Sequence, residues 1–196
     1  MKFFSNDITF NYTWAEVSTA IWRKYCPWND KSDHVIAVDT LSRTVDPTTG
    51  ILRTERLITC RQQPPEWLRG IMKCAENSGF SHVYEASYVD VEGRTVTMVS
   101  QNLTWNNLVS CQEKVVYRPD GDTDTRFEQS ARITALCGGW QRIKNKIEDQ
   151  LVRRFSENAA KGRRGFERVL AMSRAMFNEE LEARRILERN NNVVAA

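Results

Sequence analysis

Six segments with the composition of β-strands follow one another between residues 34 and 137. They are rich in Val, Ile, Thr and aromatic residues, and most are joined by turn-rich connections such as DPTTG, EGR and PDGDTD. Because sequential strands usually pair with their neighbours, this series predicts an antiparallel meander. The segments are 34–46, 51–60, 81–91, 95–105, 108–118 and 126–137, and residues 1–12 add a seventh strand.

A short helix is predicted directly after the first strand. Thr13 is a suitable N-cap, and Glu16 three residues later completes a capping box. Residues 14–25 then place apolar side chains near one helical face. The helix is expected to end at Cys26 because Pro27 follows it.

From residue 140 the apolar period becomes helical and continues to about residue 189. Gly162 and Gly165 are expected to bend or break so long a helix. A curved antiparallel sheet that wraps one long helix gives an α+β fold with a groove for a small or acyl-chain ligand. The apolar face carries Ile143, Ile147, Leu151 and Phe155, continued by Phe166, Val169, Leu170 and Met176.

The charge of the 196-residue chain is unevenly distributed, although its net value is only +3. Residues 140–196 contain 13 Lys+Arg against 8 Asp+Glu, so the rest contains 15 against 17. A basic C-terminal segment is compatible with an anionic membrane surface and equally with a solvated helix face. The overall charge is too weak to predict a nucleic-acid partner.

Metal, cofactor and catalytic motifs are missing from the sequence. The cysteine count is odd, no pair has C-x-x-C spacing, and there are only two histidines, so neither zinc nor a disulfide framework is expected. The motifs G-x-S-x-G, H-E-x-x-H and a Walker loop are absent, so we expect no enzyme and no cofactor. No apolar run approaches the ~20 residues of a membrane span, and there is no secretory signal. The cysteines are Cys26, Cys60, Cys74, Cys111 and Cys137.

Arg56 is the most informative polar residue of the predicted strands. The period of two places it on the same face of segment 51–60 as Leu52, Thr54, Ile58 and Cys60, which is the apolar face. A buried arginine is costly unless it is paired. It must therefore meet a carboxylate of this chain, such as Asp39, or an anionic ligand.

A second polar stripe runs along the C-terminal helix beside its apolar face. It contains Arg154, Asn158 and Lys161, at helical spacing between Leu151 and Gly165. Snorkelling side chains and a phosphate partner would both explain this stripe. Arg163 and Arg164, next to Phe166, are expected to form a basic patch for a membrane surface.

Residues 62–79 separate the second and third segments of the meander. This stretch is too long for a hairpin turn, and breakers bound it at both ends. It is either a lid or binding loop, or a short helix packed on the sheet. Its opening prolines and apolar side chains are Pro64, Pro65, Trp67, Leu68, Ile71 and Met72.

Several motifs agree in order and spacing with one known family. They include MKFFSNDITFNYTWAEVSTAIWRKY, HVIAVDTLSR followed by RTERLI, NLTWNNL, and KIED-x-x-x-x-RF-x-ENA-x-KG-x-x-GF. On these motifs the chain resembles the PRELI/MSF1 family of phospholipid-transfer proteins over about residues 1–170. RTERLIT, SHV and NLTWNNL are similar to its slowmo branch.

The resemblance implies a StART-like curved sheet of about seven strands, with a long C-terminal helix, a short N-terminal helix and an Ω-loop lid at 62–73 that inserts Trp67 into membrane. It implies one lipid-transfer domain, which we place at 1–175, and residues 176–196, outside the resemblance, are expected to form a C-terminal helical extension and tail. It further implies a heterodimer with a small twin-cysteine helical-hairpin chaperone in the mitochondrial intermembrane space. The implied headgroup residues are Lys24, His34, Arg56, Arg154, Asn158 and Lys161.

The implied cargo is a phospholipid shuttled between the outer and inner mitochondrial membranes. The phosphatidic-acid branch of the family carries lysines where this chain has Thr59, Cys60 and Gln63. Phosphatidylserine is therefore the expected lipid. Phosphatidic acid transfer, or a membrane or protein tether without transfer, are the alternatives.

Overall fold

The computed structural model describes residues 1–61, 79–136 and 141–194, apart from the side chains at 143 and 188–194. Its seven strands form one antiparallel sheet in the order β1-β7-β6-β5-β4-β3-β2. The expected meander is confirmed, and the N-terminal strand β1 pairs with β7 at one edge of the sheet. The strands are β1 Lys2–Phe10, β2 Val35–Val45, β3 Leu52–Arg61, β4 Phe80–Asp90, β5 Thr95–Asn102, β6 Val109–Asp120 and β7 Asp124–Ala135.

The N-terminal helix α1 spans Trp14–Ala20 and begins with the expected capping box. The Thr13 hydroxyl accepts from the Glu16 backbone N–H at 3.3 Å, and the Glu16 carboxylate accepts from the Thr13 backbone N–H at 2.9 Å. The helix tightens into a 3-10 turn at Ile21–Arg23 before the chain reaches a second 3-10 turn at Asp30–Ser32. Residues 24–34, which we call the 24–34 connection, lead from α1 to β2.

The long helix α2 spans Gln141–Val194 without interruption. The prediction of a break at Gly162 and Gly165 is therefore wrong, and the helix continues beyond residue 189. Gly165 has a packing role, because a Cβ there would lie 2.8 Å from the Lys31 Cβ and 3.1 Å from the Asn29 side-chain oxygen. A Cβ at Gly162 would have no neighbour within 4 Å. Gly165 thus lets α2 approach the 24–34 connection closely.

An aromatic cluster joins α2 to the inner face of the sheet. Phe166 packs edge-on against Phe10 and Tyr117, with ring centroids 5.6 and 6.0 Å apart, and Phe127 completes the cluster. Burying each such side chain contributes about 1.5–3 kcal/mol. These contacts fix one side of the helix, whereas residues 174–187 of α2 are exposed.

Arg174 holds the last packed turn of α2 against α1. Its guanidinium donates to both carboxylate oxygens of Glu16, at 2.6 and 2.9 Å, and lies 4.0 Å above the Tyr12 ring. The hydrogen bonds from Arg174, followed by those from Thr13, lower the pKa of Glu16 from 4.5 to about 2, against the opposing effect of partial burial.

Replacing Glu16 with Gln is expected to reduce stability in a pH-dependent way. The folded pKa lies below the unfolded one, so this contribution is complete above about pH 4.5 and is lost as the pH falls towards about 2. Because the pair is partly exposed, we expect a loss of about 1–2 kcal/mol near neutral pH. Urea unfolding of both proteins across this pH range measures it. The control is Glu180→Gln, which removes an exposed pair with Arg184; a pH-independent difference would contradict the pairing.

Replacing each of the two glycines of α2 with alanine should change the stability of the protein in opposite directions. Gly162→Ala should stabilise the protein by up to about 1 kcal/mol, because alanine has the higher helix propensity and its Cβ enters open space. Gly165→Ala should destabilise it by about 1–3 kcal/mol, because the Cβ meets the Lys31 Cβ. Thermal unfolding compares them, and equal shifts would contradict the close approach.

Candidate functional site

A cavity of about 260 Å³ lies between the sheet, α2 and the 24–34 connection. The aromatic cluster forms part of its wall, together with Ile58, Val83, Met98 and Val115 from the central strands. Polar and charged side chains line the remainder. The groove expected between sheet and helix is therefore present. One part of its wall is apolar, and the other part is polar or charged.

Polar side chains form a row across the sheet at the cavity floor. The register pairs Arg56 with Glu85, Glu85 with Ser100, and Ser100 with Glu113 on successive strands. Gln129 of β7 extends the row by donating to the Glu113 carboxylate. Neighbouring strands are about 4.8 Å apart, so the row from Arg56 to Gln129 crosses roughly 19 Å of the sheet.

Arg56 and Glu85 form a buried ion pair. Their residues are only 5% and 6% exposed, and the Arg56 Nε donates to the Glu85 Oε1 at 3.0 Å. The guanidinium also lies 5.4 Å from the Trp22 ring and 5.9 Å from the Tyr25 ring. The inward orientation of Arg56 is confirmed, and its carboxylate partner is Glu85 instead of Asp39. Glu85 lines the cavity, whereas Arg56 is not one of the lining residues.

Four basic side chains line the cavity, and they are Lys24, Lys31, His34 and Arg163. The Nε of Arg163 is buried and has no hydrogen-bond partner among the described residues. Arg163 is half-buried and belongs to the cavity wall, while the membrane patch stays a prediction. Arg164, beside it in sequence, is exposed.

Lys24 is held in its charged form. Acidic groups around it, first the Tyr25 hydroxyl and then Tyr117, Glu113 and Glu85, raise its pKa against the opposing effect of burial. Burial raises the pKa of Tyr25, which keeps that phenol neutral near pH 7. The charges that act on Lys24 at neutral pH are therefore the two carboxylates of the cavity floor.

His34 and Asn158 line the cavity and are largely exposed, so they lie at its opening. Partial burial, followed by the positive charge of Lys161, lowers the pKa of His34, while Asp33 opposes the shift. The imidazole is therefore neutral near pH 7. It would become a better anion contact as the pH falls.

Lys161 and Arg154 do not line the cavity. Lys161 forms an ion pair with Asp33 at 3.0 Å, next to His34, and so ties α2 to the 24–34 connection. Arg168 makes a similar pair with Asp30 at 2.7 Å. Arg154 is on the exposed side of α2. The helix stripe thus divides into a cavity residue, Asn158, a tether residue, Lys161, and a surface residue, Arg154.

The expected lid residues at 64–72 lie outside the described residues, as do Cys74 and Cys137. Cys26, Cys60 and Cys111 are free thiols, and burial raises the pKa of Cys111 to about 12. Over residues 1–61, 79–136 and 141–194, no group of three or more His, Cys, Asp or Glu side chains could hold a metal ion. Within the same ranges, no helix has the length and apolar character of a membrane span.

Sequence reasoning missed both carboxylates of the cavity floor. Glu85 and Glu113 occupy inward positions of β4 and β6, on the same strand faces as Val83 and Val115, which also line the cavity. The period-two argument applied to Arg56 would have placed them on the inner face. It would not have shown that Glu85 and Arg56 are cross-strand partners, because the sequence does not fix the register.

Comparison with known proteins identifies the family. The sequence model of the PRELI-like family matches residues 15–176. The chain belongs to the PRELI-like family. It is 44% identical to mitochondrial protein UPS2 of Saccharomyces cerevisiae, covering 93% of this chain and 76% of that protein. It is 42% identical to UPS-like protein C36.10 of Schizosaccharomyces pombe, covering 87% and 89%. The slowmo homolog of Dictyostelium discoideum is 33% identical, covering 88% and 73%.

Solved structures resemble this PRELI-like chain in fold. The Zhui aromatase/cyclase of Streptomyces sp. R1128 matches with a TM-score of 0.56 and 9% identity, covering 88% of this chain and 93% of that one. Ara h 8.0201 matches with a TM-score of 0.53 and 11% identity, covering 89% and 98%. At these identities the likeness shows the fold alone. The expected fold, a StART-like curved sheet with a long C-terminal helix, is confirmed.

Removing the charge of Arg56 should destabilise the fold. Arg56→Met leaves the Glu85 carboxylate buried without its partner, which costs about 3–5 kcal/mol. The control is Arg53→Met on the opposite face of β3, where the ion pair with Glu55 is much more exposed and little change is expected. Urea unfolding measures both variants. Equal midpoints for Arg56→Met and the native protein would contradict a structural role for the pair.

Proposed function

We propose that the protein is a lipid carrier that shuttles phosphatidylserine between the outer and inner mitochondrial membranes without chemical change. The observation that carries this proposal is the cavity with cationic side chains, Lys24 and Arg163, in its wall. Membership of the PRELI-like family and 44% identity to a relative named as mitochondrial support it.

The size of the cavity suits the polar part of a phospholipid. Typical ligand pockets measure roughly 300–1,000 Å³, so about 260 Å³ can hold a headgroup with its phosphate and not two acyl chains. The aromatic cluster already fills the space between α2 and the sheet on one side. The acyl chains would therefore extend outside this cavity.

The proposed headgroup contacts fall into two groups. Lys24 and Arg163 would bind the phosphate from the cavity wall, while His34 and Asn158 would contact the headgroup at the opening. The remaining expected residues would act less directly. Arg56 would orient Glu85, Lys161 would hold the 24–34 connection through Asp33, and Arg154 would face the membrane or solvent.

The proposed setting is the intermembrane space, with the protein bound peripherally to anionic membrane. Residues 64–72 would act as the lid and membrane contact, with Trp67 inserting. A small twin-cysteine helical-hairpin chaperone is the proposed partner. The exposed Arg164 is suited to attract anionic headgroups, a contribution of about 1 kcal/mol per basic residue near the surface.

The proposal includes no reaction. The cyclase that shares the fold is 9% identical to this chain, too distant to carry its activity over. The two carboxylates of the cavity floor are paired or hydrogen-bonded in ways that suit binding, since Arg56 neutralises Glu85 and neutral donors hold Glu113. Lipid recovered after transfer is expected to have an unchanged headgroup mass, and turnover of the headgroup would favour an enzyme.

Lys24→Gln should reduce lipid transfer without unfolding the protein. It removes a charged contact to the phosphate, worth about 1.5–3 kcal/mol, or roughly 10–100-fold in affinity. Transfer between donor and acceptor liposomes is measured with phosphatidylserine, phosphatidylethanolamine and phosphatidic acid, with and without the chaperone. Lys146→Gln, at an exposed position of α2 outside the cavity lining, is the control.

The outcomes of this assay separate the alternatives. Transfer of phosphatidylserine that falls in Lys24→Gln and not in the control supports the proposal. Preferential transfer of phosphatidic acid would support the alternative cargo. If the native protein binds liposomes but moves no lipid, it is a tether, and the proposed function is wrong.

A further inference from the structure

Glu113 is a cavity carboxylate held by neutral donors. It accepts hydrogen bonds from the Ser100 hydroxyl at 3.1 Å and from the Gln129 side-chain amide. No cation of the described residues lies within 4.0 Å of its oxygens, whereas Glu85 has Arg56 as a direct partner. A carboxylate in a partly closed cavity is more stable with a countercharge. Glu113 is therefore the floor carboxylate whose negative charge is not neutralised by a direct ion pair with any described residue.

Glu85 adds an unused acceptor to the same floor. Both hydrogen bonds from Arg56 go to Oε1, and no donor among the described residues is bonded to Oε2. Glu85 is 6% exposed and lines the cavity, and only Ser100 separates it from Glu113 in the row. The floor thus offers two carboxylate groups to a donor that enters the cavity.

The cationic wall and the acidic floor make the cavity bipolar. Lys24 stands near enough to both carboxylates for their charge to act on it, and Arg163 lies on the α2 side. When a phosphate binds Lys24, that lysine can no longer compensate Glu113 fully. A ligand that brings an ammonium group together with its phosphate restores the balance. A phosphate monoester brings only negative charge and is repelled by the floor.

We propose that Glu113, assisted by Glu85, is an ammonium subsite that selects phospholipids with an ammonium group over phosphatidic acid. The inference rests on the proposed lipid cargo and assigns the residue that determines its specificity. The phosphate binds the cationic wall, and the ammonium donates to the Glu113 carboxylate. Ser100 and Gln129 fix the orientation of that carboxylate, so they are positioning residues.

The first test changes the charge of the floor with little change in shape. Glu113→Gln should lower transfer of phosphatidylserine and phosphatidylethanolamine by about 10–100-fold, the value of one charge-assisted hydrogen bond. Transfer of phosphatidic acid should stay constant or rise, so that the headgroup preference inverts. Ser100→Ala keeps the charge and removes one hydrogen bond, so it should have a much smaller effect on this preference. Glu92→Gln, at an exposed turn, is the outer control.

The second test changes the lipid and uses the native protein, so it does not depend on the folding of a variant. Phosphatidyl-N-methylethanolamine keeps the positive charge, whereas N-formyl-phosphatidylethanolamine loses it with a similar size. The native protein should transfer the first at nearly the rate of phosphatidylethanolamine and the second about tenfold or more slowly.

The results separate the subsite from the carrier function. The ammonium subsite would be overturned if folded Glu113→Gln keeps the headgroup preference of the native protein and the native protein transfers the two N-substituted lipids at equal rates. As long as the native protein still transfers aminophospholipids, the carrier proposal would remain intact. Native protein that transfers no lipid would overturn both. The subsite is supported if Glu113→Gln loses the preference for aminophospholipids over phosphatidic acid and Glu92→Gln retains it.

Discussion

The covering of the sheet's inner face by helices is the constraint on which the rest of the structure depends. A seven-stranded antiparallel sheet must bury its apolar face, and α2 covers it together with the short helix α1. Phe166 docks into the aromatic cluster, and Gly165 allows the next contact with the 24–34 connection. The two helices do not fill the whole inner face. The space left beside the cluster is the cavity.

Buried charge in this protein is tolerated because each charged group has a specific electrostatic role. Arg56 and Glu85 neutralise one another at the back of the floor, where neither could remain alone. Lys24 stays protonated near the two floor carboxylates. Glu113, held by neutral donors, keeps its charge available to a ligand. The same arrangement supports the fold and divides the cavity into cationic and acidic parts.

The parts of the site that could be predicted from sequence depended on short-range patterns. Arg56 was placed inward correctly, because alternation along a strand fixes the face. The sequence groups Arg163 with Arg164 because neighbouring positions of a helix differ by only about 100° in direction, and only the structure shows that Arg163 lines the cavity while Arg164 is exposed. Glu85 and Glu113 were missed because carboxylates on different strands become neighbours only through the sheet register.

The sequence by itself determined the seven strands, the capping box at Thr13 and Glu16, and the existence of a long C-terminal helix, because propensity, alternation and capping act over a few residues. The motifs were also sufficient to indicate the family. Only the tertiary structure decided that α2 continues through Gly162 and Gly165, that Glu85 is the partner of Arg56, and that Lys24 faces Glu113 across one cavity. These outcomes depend on contacts between residues distant in the chain, and the energy of such contacts outweighs local preference.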